Sequence, residues 1–174
     1  SISHNNNKVP SIRLVIEGVN SITGNISQEK YYNPSLTISG GGTLKISAGN
    51  TGINVRSLTI ESGTLEITAG QFGVIAKGGV TIKGGEIEVN GGNAFTNDTE
   101  VTVDPQSGKQ ICVYVGDSEA EARTLGTYTS ETELIVADTV NKYFHSYIED
   151  APIVTNVSVS PETATVDAGG TQQF

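Results

Sequence analysis

One phrase recurs along this chain at a nearly fixed interval, and it limits the fold more than any other feature. "LTISGGGTLKISAG" starts at residue 36, "LTIESGTLEITAG" at 58 and "VTIKGGEIEVNGG" at 80. Fainter copies start at 14 ("LVIEGVNSIT") and at 101 ("VTV"), so successive starts lie 22, 22, 22 and 21 residues apart. A period of this length marks a stack of small units, none of which can bury its apolar face alone.

Within one period the spacing of apolar residues is two, which is the signature of strands rather than helices. Leu36 and Ile38 share a face, with Thr37 on the other. Gly40, Gly41 and Gly42 turn the chain. Leu44 and Ile46 then face inward, Gly49 to Gly52 make a second turn, and Ile53-Asn54-Val55 is a third short strand. Three strands and three turns make one triangular coil. Parallel strands joined by crossovers are almost always right-handed. The expected fold is all-β: a short right-handed parallel β-helix of about five coils, with a C-terminal cap.

The stack predicts inner columns. Leu14, Leu36, Leu58, Val80 and Val101 form one; Ile16, Ile38, Ile60, Ile82 and Val103 a second. Leu44, Leu65 and Ile87 form a third, and Ile46, Ile67 and Val89 a fourth. Each buried side chain contributes about 1.5–3 kcal/mol of transfer free energy. Thr37, Thr59, Thr81 and Thr102 line up outside. The ends of such a stack expose unpaired backbone groups, and residues 1–13 and 104–150 are the expected caps. In the second, Ser118 three before Glu121 suggests a short capped helix closed by Gly126, and "ELIVAD" and "KYFHSYIED" suggest strands.

Composition narrows function. A net charge of −9 argues against a nucleic-acid partner, which needs clustered Lys and Arg. No run of apolar residues is long enough to insert in a membrane. The single cysteine, Cys112, can form neither an internal disulfide nor a multi-cysteine metal site. The chain starts without Met, which suggests a stretch of a longer protein; its oligomeric state is left open.

The stretch "GINVRSLTIESGTLEITAGQFGVIAKGGVTIKGGEIEV" resembles the carbohydrate-binding β-helix domains of bacterial, mainly clostridial, surface proteins. Those coils share an apolar strand led by Gly, a [VL]-T-I strand, a Gly-Gly turn and a [TE]-[LI]-x-[IV] strand. The resemblance covers residues 12–103. The tail "VTNVSVSPETATVDAGGTQQF", residues 154–174, resembles the first strands of bacterial Ig-like group 2 domains and stops before the domain could close. Together these imply an extracellular, multidomain and Gram-positive parent. The implied organisation is a capped β-helix over 1–150, followed over 151–174 by a linker and a truncated Ig-like start.

Chemistry-bearing residues are few. His4 and His145 have no partners at ligand or triad spacing, and neither a zinc motif nor a phosphate loop is present. Glu86 and Glu88 share an outer strand face, with Glu66 one coil before and Lys45 one further. Such carboxylates can serve glycoside chemistry or hold calcium. They read first as ordinary solvated surface, with calcium the only cofactor they suggest and no catalytic residue assigned. No arginine falls in that row.

By the repeat, Tyr32, Asn54, Ile75 and Phe95 share the outer column of the third strand, and three of them are apolar or aromatic. Either segment 106–150 folds back over this face, or Tyr32 and Phe95 form a strip that stacks on sugar rings. The leading expectation is a non-catalytic surface module binding polysaccharide or another cell-surface glycan. A purely structural adhesin stalk and a polysaccharide lyase or hydrolase are the alternatives.

Overall fold

A computed structural model describes residues 11–27, 34–96, 98–124, 126–135 and 141–152. Tyr32, His4, residues 1–10 of the expected cap at 1–13 and the Ig-like tail at 154–174 lie outside the described residues.

The repeat folds as read: three strands per turn, stacked in parallel. The first turn is β1 (Ser11–Ile16), β2 (Val19–Thr23) and β3 (Ile26–Ser27). The second is β4 (Ser35–Gly40), β5 (Thr43–Ala48) and β6 (Thr51–Val55). The third is β7 (Ser57–Ile60), β8 (Thr64–Ala69) and β9 (Phe72–Ala76); the fourth is β10 (Val80–Ile82), β11 (Glu86–Asn90) and β12 (Asn93–Phe95). β13 (Val101–Val103) starts one further strand position. The molecule is a β-solenoid of about four turns, with sheets ordered β1-β4-β7-β10-β13, β2-β5-β8-β11 and β3-β6-β9-β12.

The inner columns hold where the repeat is clean. Leu36, Leu58, Val80 and Val101 are partners in register, as are Ile38, Ile60, Ile82 and Val103, and all eight are buried. Leu44, Leu65 and Ile87 align, as do Ile46, Ile67 and Val89. The outer threonine ladder Thr37, Thr59, Thr81, Thr102 is also in register.

The first turn departs from the reading. Ile12, not Leu14, partners Leu36, and Leu14 partners Ile38. The step from Ser11 to Ser35 is 24 residues, against 22 from Ser35 to Ser57. A shift of two keeps every side chain on its face, so Ile16 remains buried. It lies opposite Gly40, whose backbone runs so close that a Cβ there would fall 2.2 Å from the Ile16 carbonyl oxygen. Residues 11–13 thus belong to the first strand, not to a cap.

The C-terminal segment closes the far end. β14 (Lys109–Gly116) is followed by helix α1 (Glu119–Ala122), then β15 (Thr127–Thr129), β16 (Glu133–Ile135) and β17 (Tyr143–Asp150). β16 pairs antiparallel with β13. β17 pairs antiparallel with β11, β14 with β17 and β15 with β14. One sheet therefore grows to seven strands, β15-β14-β17-β11-β8-β5-β2. The sequence placed the helix correctly, and Ser118 accepts the Glu121 N–H at 3.3 Å. Its stop is Arg123, not Gly126. Gly126 serves another end: a Cβ there would lie 2.5 Å from the Tyr114 ring.

Candidate functional site

The sequence-predicted outer column does not survive as a unit. Asn54 and Ile75 are partners on the outer side, both half-buried. Phe95 points inward: it partners Val74, and only 1% of it is exposed. The steps from Ile53 to Val74 and from Val74 to Phe95 are both 21 residues, so these three share one inner column. Alternation leaves Thr96, not Phe95, beside Ile75 on the outside. An aromatic fits here because the stack ends: Phe95 meets Phe144 of β17 edge to face, ring centres 5.0 Å apart. The cap covers Phe95 from the end of the solenoid.

The carboxylate row holds, and the fold adds to it. Lys45, Glu66 and Glu88 are partners in register across β5, β8 and β11. Lys45 Nζ donates to Glu66 at 2.6 Å. Because β17 lies against β11, the row continues through His145 to Tyr114. The neighbouring row runs Thr43, Thr64, Glu86, Tyr147, Cys112 and Tyr128. Alternation in β17 sends Phe144 into the core and Tyr143, His145 and Tyr147 to the outer face.

That face is tightly organised. His145 Nε2 lies 2.8 Å from Glu86 Oε1. The His145 ring is flanked by Tyr114 at 5.9 Å, Tyr147 at 5.5 Å and Tyr143 at 6.5 Å between centres, which leaves it 6% exposed. The Tyr114 hydroxyl stands 3.3 Å from those of Tyr128 and Tyr147. The hydrogen bond to Tyr114, then Cys112 and burial, push the Tyr147 phenol well above its ordinary range. Burial, with Glu88 nearby, pushes Tyr143 up to about 12, and burial pushes the Cys112 thiol up to about 11. At neutral pH these groups stay protonated, so the phenols remain hydrogen-bond donors.

A shallow open trough of about 670 Å³ crosses this face. Its wall and floor are Gly41, Gly63, Thr64, Gly85 and Glu86 from three successive turns, with Arg123, His145, Tyr147 and Ile148. Arg123 comes from the end of α1 and is held by Glu119 at 2.7 Å. Hydrogen bonding to Glu119, with a smaller contribution from Glu88, raises the guanidinium further. The row that lacked an arginine in sequence thus gains one in space.

Among the described residues, no group of three or more His, Cys, Asp or Glu side chains converges as a metal site. Glu66 is engaged by Lys45 and Glu86 by His145.

A half-buried aromatic cluster, with Tyr147 and Tyr114 partly exposed among hydroxyls, carboxylates and a guanidinium, suits a polyhydroxylated ring with apolar C–H faces. A family model described as "Carbohydrate-binding domain-containing protein" matches residues 13–171, nearly the whole chain. The chain belongs to that family. The match supports a carbohydrate-binding role and extends into the tail beyond residue 154. No curated protein and no solved structure matches the chain. Among the described residues of this family member, no helix is long and apolar enough to cross a membrane.

Sequence reasoning reached Glu66, Glu86 and Glu88 but missed Arg123, His145, Tyr114 and Tyr147. The signal available was the outward set Tyr143, His145, Tyr147, Glu149 in "YFHSYIED". Its partner strand could not be read, because the repeat ends at residue 103.

Proposed function

We propose that this chain is a non-catalytic glycan-binding module of an extracellular bacterial surface protein, and that it binds through the outer face of the seven-stranded sheet. The observation that carries the reading is the trough in which Tyr147, Glu86 and Arg123 converge in a member of a carbohydrate-binding family. The pairing of its charged groups supports binding over catalysis. Lys45 is paired with Glu66, Glu86 with His145 and Arg123 with Glu119, so each is positioned by a partner. The extracellular setting rests on the Ig-like resemblance of the tail. The outer strip of Asn54 and Ile75 is a weaker candidate surface, because Phe95 has left it and Ser27 takes the first-turn place beside Asn54 that the repeat gave to Tyr32.

A glycan array screened with the purified chain, with and without calcium, tests this reading. Binding to at least one polysaccharide, lost in Tyr147→Ala, is the expected result. No binding in either condition would remove it.

One observation favours a second reading. His145 and Arg123 beside Glu86 are the basic groups that a polysaccharide lyase needs opposite its carboxylates. New reducing ends or unsaturated sugars released from a bound polysaccharide would replace the binding module with an enzyme.

A further inference from the structure

The trough is long in one direction. Gly41, Gly63 and Gly85 belong to successive turns, and Ile148 to the strand beyond. Three strand spacings make roughly 14 Å along the stack, longer than a single pyranose ring. Tyr147, Glu86, His145 and Arg123 sit toward one end, and Gly41 marks the other.

The three glycines are not equivalent. Gly63 and Gly85 have φ of 86° and 76°, a region that L side chains rarely adopt. A Cβ on Gly85 would also fall 2.4 Å from the Gly63 carbonyl oxygen. The fold itself requires glycine at both. Gly41 is different: its φ is not positive, and a Cβ there would meet nothing within 4 Å. Packing does not explain why this exposed floor position is bare. An independent feature marks the end of the trough opposite Gly41. His145 is 94% buried there, by its 6% exposure, and among the described residues its Nδ1 has no hydrogen-bond partner.

We propose that the trough holds an internal stretch of an extended glycan lying along the solenoid axis, and that Gly41 determines specificity by keeping the far subsite open. This rests on the carbohydrate-binding reading of the same face. One sugar stacks against Tyr147, with Glu86 accepting from its hydroxyls and Arg123 donating to its oxygens. The chain then runs past Thr64 over the uncovered backbone at Gly63 to Gly41. An open trough, unlike a blind pocket, lets the glycan continue at both ends, so chain termini are not what is recognised.

Calorimetric titration with oligosaccharide series of one to six units tests this, using β-1,4-glucan, β-1,4-mannan and uronate oligomers. For the series that binds, affinity should rise about tenfold or more between one and three or four units, then level off. Gly41→Gln should keep the melting temperature and lose the gain with length, so that long oligomers bind like short ones. Tyr147→Ala should weaken every length. If Gly41→Gln melts early, Gly41→Ser takes its place, since the space there is free. Length-independent affinity, or an unchanged length profile in the folded Gly41 variant, would overturn the inference while leaving glycan binding intact. No binding of any series by the unaltered chain would overturn both.

Discussion

Ile60 has no exposed surface and sits between Ile38 and Ile82 in the middle of the stack. Removing its side chain leaves a cavity that neighbours above and below cannot fill. Ile60→Ala should cost about 2–5 kcal/mol in denaturant unfolding. Ile60→Asp should abolish the cooperative transition, since it buries an unpaired charge. Thr59→Ser, on the outer ladder, should stay within about 0.5 kcal/mol. Phe95→Ala belongs with the core changes: about 3–5 kcal/mol of stability, not a selective loss of ligand.

The buried acids on the cap face set an alkaline limit. Cys112 and Tyr143 have pKa values raised to about 11 and about 12, above their ordinary 9.0 and 10.0. Between ordinary and raised values the folded chain holds protons that the unfolded chain has released, so stability falls as pH rises. That contribution is complete below about pH 9 and lost by about pH 12. Melting temperature measured from pH 8 to 12 should fall through this window. Cys112→Ala should flatten its lower part.

Elements were legible in proportion to repetition. From residue 35 to 90, and again over 101–103, period-two alternation and corner glycines fixed strand identity, face and register, because each turn copies the last. The first turn slipped by two residues because its linkers are longer, as the 27-residue step from Ile26 to Ile53 shows. Phe95 was assigned to the wrong face because one corner is shorter: Ile67 to Val74 takes seven residues, Val89 to Phe95 six. A single residue reverses a side chain in a strand. The candidate site was half legible. Its glutamates sit inside the repeat, whereas His145, Tyr147 and Arg123 arrive from β17 and α1, whose partners only the tertiary fold specifies. At this scale the corner glycines can be tested. Gly85→Ala forces a strained φ and a backbone clash, and should cost more than about 1 kcal/mol in the same unfolding assay.

The whole molecule has two unlike ends. At one, β14, β16 and β17 cover the last turn, and Phe144 seals Phe95. At the other, a hollow of about 350 Å³ lined by Leu14, Ile22, Ile26 and Leu36 lies under the first turn. The cap has a double role: it blunts the exposed edges of β11 and β13 and it carries half of the outer face. A fragment ending at residue 104 would lose both. It should self-associate in size-exclusion chromatography through its freed strand edges, and it should lose glycan binding.

The most direct measurement of the central claim is hydrogen exchange of the full chain with and without a saturating glycan found by array. Binding across the outer face predicts slower exchange in β11 and β17, around Glu86–Glu88 and His145–Tyr147, with β6 and β9 unchanged. Protection confined to residues 53–55 and 74–76, or no change at either surface in a chain that demonstrably binds, would contradict it.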